Sequence, residues 1–309
     1  MATSMLLKCK HFVYDRAYLK LRSIVHYVQK SLNRKAPVQR SQLTKFDGVS
    51  FSGCGALNFY QTGVGYGLQK AGLIDDLSFA GASAGAGLSL ALAGGLDAED
   101  IAAQMIEITG AYGPGKILRP AWAYEVAQEF CRRFVTPETF KRSAGRIGIS
   151  VTSTRPAKSM IVTEFASQSD LADALTASCF LPHTAQKTHP FRGQPCIDGG
   201  FSNNQPTIGT RCLKVSPFWF QLTAHVRPSL QVRADYALRV PTAERAWWLF
   251  NRGLQDLEQF AAHRNPKARL QSALSSLPFD PSPSIPFLGN AFTGLRSNKE
   301  PTPSQAVNA

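Results

Sequence analysis

Apolar and polar positions along this chain switch repeatedly between a period of two and a period near 3.6. Residues 48–52 (Gly-Val-Ser-Phe-Ser) alternate and predict a strand, and the segment that follows, as far as Gln69, has helical spacing. Residues 77–80 form a short apolar run that predicts a buried strand. Residues 84–93 are small or apolar all round, which suits a helix packed under a sheet. Asp97 stands as an N-cap before an amphipathic helix through Ile108, a further helix covers 121–134, and Thr136-Pro137-Glu138 starts a short turn with proline at N1. Strands are predicted over 146–152 and 159–165, joined by a turn at Arg155-Pro156, then a helix over 170–179. A short strand at 195–197 ends in Asp198-Gly199-Gly200, and an apolar strand covers 213–220. Residues 243–263 form a long helix whose aromatic stripe (Trp247, Trp248, Phe250, Phe260) reads as core. Strands that alternate with helices predict an α/β domain.

The two ends of the chain follow other patterns. Tyr14, Tyr18, Leu21, Val25, Val28 and Leu32 lie on one helical face, with Arg16, Lys20, Arg22 and Lys30 largely off it. Residues 33–45 are polar and read as a linker. From 275 onward six prolines with Ser, Asn and Gly predict an extended or disordered tail. Charge sharpens this division. Of the net +13, residues 1–45 carry +9, leaving +4 for all the rest. The positive charge is thus concentrated on one appendage and not around a cleft, which argues against a nucleic-acid enzyme. The basic amphipathic helix fits a membrane interface, a packing helix or a transit peptide. No stretch is long and apolar enough to span a bilayer. The six cysteines show no zinc or C-x-x-C spacing, no glycosylation sequon is present, and no metal or cofactor is expected. A cytoplasmic or organellar location is expected.

The chemistry gathers at three glycine-rich points. Gly81-Ala82-Ser83-Ala84-Gly85 matches G-x-S-x-G, in which a serine stands exposed on a sharp turn between strand and helix. Gly53-Cys54-Gly55-Ala56 follows a strand and allows converging backbone N–H groups, suited to an oxyanion or to a phosphate. Asp198, followed by Gly199 and Gly200, reads either as a hairpin turn or as a carboxylate able to take the serine proton directly. A histidine-dependent triad has His225, His183 and His189 as its candidates.

Taken in order, Ser52-Gly53-Cys54-Gly55, Gly81-Ala82-Ser83-Ala84-Gly85 and Asp198-Gly199-Gly200 resemble the patatin-like phospholipase family, in the branch of adipose triglyceride lipase and adiponutrin. Supporting stretches are 145–150, Ser178-Cys179-Phe180-Leu181-Pro182, 191–193, Asn204-Gln205-Pro206 and 215–218. The resemblance implies a three-layer α/β/α patatin-like sandwich with a mainly parallel central sheet over residues 47–265, between the N-terminal segment 1–46 and the tail 266–309. It implies a serine lipid acyl hydrolase, with Ser83 as nucleophile, Asp198 as base, Gly53, Cys54, Gly55 and Ala56 as the oxyanion loop, Gly81 and Gly85 shaping the elbow, and Gly199 and Gly200 flanking the base. Its substrates would be acylglycerols or phospholipids, with water or an alcohol as acyl acceptor, at a membrane or lipid-droplet surface reached through the basic N-terminal helix. The chain departs from the pattern at Asn58, where family members commonly carry glycine. The alternatives are a Ser-His-Asp esterase and a catalytically weak lipid-surface regulator.

Overall fold

The computed structural model of the protein describes residues 40–228 and 232–262. The basic helix over 14–32, most of the linker, the tail, and His11, His26 and His263 lie outside the described residues. Strand β1 (Gly48–Phe51) leads to helix α1 (Asn58–Lys70), and β2 (Ser78–Ala82) to α2 (Ala84–Ala93). Helices α3 (Ala98–Gly110), α4 (Pro120–Phe134) and α5 (Pro137–Ser143) follow, then β3 (Ile147–Thr154), β4 (Ala157–Val162) and α6 (Gln168–Ser178). The short strands β5 (His189–Phe191) and β6 (Gln194–Asp198), then β7 (Cys212–Val215) and α7 (Ala243–Ala262), complete the order. The helix starts follow from their caps. The Asp97 carboxylate accepts the N–H groups of Glu99 and Asp100, both at 2.9 Å, and Thr136 and Thr139 form a reciprocal capping box.

The strands make one mixed, mostly parallel sheet in the order β5-β6-β3-β2-β1-β7, with β4 also on β3, and helices flank it. Strands β7, β1, β2 and β3 run parallel; β4 and β6 run antiparallel to β3. Strand β3 is longer than its neighbours and divides one of its edges between two of them. Its residues 147–150 pair with β2 and 151–153 with β6, while β4 occupies the opposite edge along 149–154. Strands β2 and β6 therefore meet end to end, each by its C-terminal residue, Ala82 beside Ser150 and Asp198 beside Val151.

Helix α2 is buried along nearly its whole length, which its uniformly small and apolar sequence permits. Helices α1 and α7 cross with almost no space between their backbones. A Cβ at Gly63 would collide with the Phe250 carbonyl, and one at Gly253 with the Tyr60 carbonyl. Beside this crossing Asp256 accepts from the Tyr60 hydroxyl (2.8 Å) and from Arg252 Nε (3.2 Å), all three side chains being buried. The aromatic stripe of α7 is core, as expected: Trp247 and Phe250 are buried, and Trp248 and Phe260 pack against the same cluster.

Three expectations need correction. The strand expected over 213–220 ends at Val215. Pro217 has no N–H to continue the ladder, the Ser216 hydroxyl takes the Phe218 N–H (3.3 Å), and Phe218, Trp219 and Phe220 fall in a loop. The end of the linker belongs to the folded body: Arg40–Gln42 is a 3-10 turn and Leu43 is buried in the core. Asp198-Gly199-Gly200 is no hairpin, because β6 passes into a 3-10 turn at Gly199–Phe201.

Candidate active site

Ser83 sits between β2 and α2 with φ 52° and ψ −129°, a conformation that non-glycine residues rarely hold. Its neighbours make the turn possible. A Cβ at Gly81 would meet the Gly85 carbonyl, and one at Gly85 would lie 2.5 Å from the Phe51 carbonyl, so the elbow closes only with both glycines in place. The Ser83 N–H donates to the Ser178 hydroxyl at 2.9 Å, tying the elbow to the end of α6. Ser83 also precedes the first turn of a buried helix, whose free N–H groups and dipole favour negative charge beside it.

The end-to-end meeting of β2 and β6 brings Asp198 to the neighbourhood of Ser83, and both line one cavity. Asp198 is held from three sides. Its N–H donates to the Phe180 carbonyl (2.8 Å), its carbonyl accepts from Thr152 Oγ1 (2.8 Å), and Oδ1 accepts from the Gly200 N–H (2.7 Å). Only 5% of Asp198 is exposed. Burial pushes its pKa up to about 6, against the pull of the nearby Ser83 hydroxyl and of the Gly200 hydrogen bond. Gly199 is forced by contact, since a Cβ there would strike the Ser150 carbonyl.

The glycine loop after β1 lies beside this pair. The Gly53 N–H is already used, donating to the Asn204 carbonyl at 3.1 Å, so it is corrected from donor to anchor. Among the described residues the N–H groups of Cys54, Gly55 and Ala56 meet no acceptor, and Gly55 takes a left-handed φ of 52°. Gln61, fully buried, fastens the loop from below: its Nε2 donates to the Ser52 carbonyl (2.8 Å), the Cys54 thiol (2.9 Å) and Asn58 Oδ1 (3.2 Å). Asn58 itself is right-handed, with φ −59°, as the first residue of α1, so no left-handed geometry is asked of it. Ala84, immediately after the serine, lines the same space, and its N–H likewise meets no acceptor.

Ser83, Asp198 and the 53–56 loop open onto a cavity of about 380 Å³, walled by apolar side chains such as Phe59, Leu88, Met105, Val126, Phe130 and Leu175. Two thiols lie close by. Burial pushes both Cys54 and Cys179 upward, the Asp198 carboxylate adds to the rise at Cys179, and both remain thiols. None of the described histidines lines the cavity. His225 accepts the Lys214 N–H on Nδ1 (2.9 Å) and packs against Phe46, at the β7 edge of the sheet. His189 and His183 pack on the Phe180 ring.

The fold brings Ser83, Asp198, Gly81, Gly85, Gly199, Gly200 and the 53–56 loop to one place, and adds Ser178, Asn204 and Gln61, which the sequence does not single out, as supports. Ser178 and Asn204 stood inside stretches already noted for their resemblance; Gln61 carried no signal beyond being polar in an apolar helix.

A family model described as "Patatin-like phospholipase" matches residues 49–210, which include Ser83, Asp198 and the loop between β1 and α1. Among characterised proteins, the human 1-acylglycerol-3-phosphate O-acyltransferase PNPLA3 is 31% identical over 181 residues, covering 55% of this chain and 37% of that protein. The human omega-hydroxyceramide transacylase is 30% identical over 181 residues, covering 55% and 34%. Human patatin-like phospholipase domain-containing protein 4 is 26% identical over 248 residues, covering 70% of this chain and 97% of its own length. The chain thus spans little more than a third of the first two relatives.

Proposed function

The chain belongs to the patatin-like phospholipase family, and from that premise we propose that it is a lipid acyl hydrolase working through a Ser83-Asp198 dyad. The observation that carries this reading is that Ser83, on its strained turn, and the buried carboxylate of Asp198 line the same apolar cavity, which no described histidine lines. Ser83 Oγ attacks the ester carbonyl while its proton passes to Asp198. The oxyanion forms among the N–H groups of Cys54, Gly55 and Ala56, and the acyl chain lies along the apolar wall. Collapse of the tetrahedral intermediate expels the alcohol, which takes its proton back from Asp198 and leaves an acyl-enzyme on Ser83. Water, or an acceptor alcohol, then gives its proton to Asp198 and repeats the sequence in reverse. The names of two relatives, an O-acyltransferase and a transacylase, support an alcohol as acceptor alongside water. The substrate class is an acylglycerol or phospholipid, taken at a lipid–water surface in the cytoplasm.

Labelling with a fluorophosphonate and turnover of a short-chain ester test the dyad together. The wild type is expected to react with both and Ser83→Ala with neither. Asp198→Asn, with unchanged circular dichroism, is expected to lose roughly 10²–10⁴ in kcat. Most activity surviving in Asp198→Asn, or a severe loss in His225→Ala, would sink the dyad. Product analysis with glycerol or a monoacylglycerol present separates transfer from hydrolysis.

A further inference from the structure

The surface around the cavity is apolar where a water-facing surface ordinarily is not. Phe201 and Leu238 line the cavity yet are 63% and 56% exposed. Phe218, also in the lining, stacks on Phe220 at 5.3 Å, and Phe220 meets Trp219 edge-on at 5.7 Å. Trp219, Phe220 and Leu222 are themselves 49%, 53% and 77% exposed. On the Leu238 side, Ile117 pairs with Arg239, and the next residue, Leu118 of the cavity wall, donates its N–H to the Leu238 carbonyl at 2.7 Å. Of the large exposed hydrophobic side chains of the described residues, all but two therefore lie within one ring or one residue of the cavity wall; Leu222 is one step further out, its N–H donating to the Phe220 carbonyl at 3.0 Å, and Ile161 lies on β4. Contiguous patches of this kind mark an interaction surface.

Charge indicates the kind of partner. The segments 111–124, 199–205 and 216–228, which supply most of this rim, contain no Asp or Glu but do contain Lys116, Arg119 and Arg227. Arg227 donates to the Trp219 backbone carbonyl at 2.6 Å, which places a cation in the same loop as the exposed tryptophan. The one acid of the 234–241 segment, Asp235, is held by Arg233 and Arg239. An apolar rim with an aromatic tip and unopposed cations fits the boundary between acyl chains and anionic headgroups.

We infer that this rim docks the protein on an anionic phospholipid surface, with Trp219, Phe220, Leu222 and Ile117 entering the headgroup boundary so that the cavity opens toward the lipid. The inference rests on the acyl-hydrolase reading for its purpose, and it assigns docking to the mouth of the site, apart from the basic N-terminal segment. The full chain is mixed with phosphatidylcholine vesicles containing about one-fifth phosphatidylserine and brominated acyl chains, a mixture in which cationic rims meet anionic headgroups. Tryptophan fluorescence is expected to be quenched in the wild type. In Trp219→Phe most of that quenching disappears while the protein still co-sediments with the vesicles. The double variant Phe220→Ser/Leu222→Ser is expected to bind about tenfold or more weakly, with unchanged turnover of a water-soluble short-chain ester. Vesicle binding without quenching of Trp219, wild-type affinity in the double variant, or no binding by the wild type would each overturn the inference. A wild type inert toward the soluble ester would count against the acyl-hydrolase reading alone, since the quenching measurement decides docking without turnover.

Discussion

At Asp198 burial and hydrogen bonding pull the proton in opposite directions, and burial wins, with a pKa near 6. In the proposed role of base Asp198 must be ionised to accept the serine proton, so kcat/KM is expected to be flat above neutral pH and to fall tenfold per unit as pH drops below about 6. The same shift bears on stability with the opposite preference. Because the folded pKa lies above the ordinary carboxylate value of 3.8, the fold binds a proton more tightly than the unfolded chain. Asp198 therefore favours folding below pH 4 and gives that stability up as pH rises through 6. Asp198→Asn is accordingly expected to unfold at a higher temperature than the wild type at pH 7.5, by an amount corresponding to about 1–3 kcal/mol, measured by thermal denaturation. Ser83 and Asp198 were legible in the sequence because the close backbone approaches around them require glycines beside them in the chain, Gly81 and Gly85 at the one and Gly199 at the other. Gln61, Ser178 and Asn204 were not, because each acts on a backbone group brought to it only by the tertiary fold.

Among the elements, helices with strong local signals were read to within a residue or two. Helix α2 follows from its run of small and apolar residues, α3 from the Asp97 cap and the start of α5 from Thr136-Pro137, while α4, expected over 121–134, begins one residue earlier at Pro120. Strand β5 is three residues long and contains a proline, too little for any period to show, and β7 was overread because the apolar run continues into the rim. The α1/α7 crossing was invisible for a different reason. Gly63 and Gly253 lie far apart in sequence, and each is required by the other helix's backbone. Replacing Gly253 with alanine is expected to cost about 2–4 kcal/mol, because two packed backbones must separate, and to lower the urea midpoint without changing ester specificity. A smaller effect, near the ordinary helix preference of alanine over glycine, would show that the crossing yields easily.

For the molecule as a whole, the uneven charge read from the sequence and the apolar rim seen in the structure make distinct demands on the solvent. Turnover of a soluble ester is expected to be indifferent to salt, whereas turnover in anionic vesicles is expected to fall as sodium chloride rises toward 0.5 M; stopped assays on the two substrates side by side check this. The overall α/β plan was legible from the alternation of periods, but the way it brings Ser83 and Asp198 together was not, since that depends on register. Strand β3 offers one continuous edge to β2 and β6, and the serine and the aspartate are attached to the two ends that abut there. Apart from β3 itself, the chain between Ser83 and Asp198, including α3 to α5 and the exposed turn near Gly113, is not interposed in that edge. The separation of Ser83 and Asp198 is thus insulated from the length of the loops that connect them to β3, so those loops are free to grow, shrink and diversify while the two side chains stay in place.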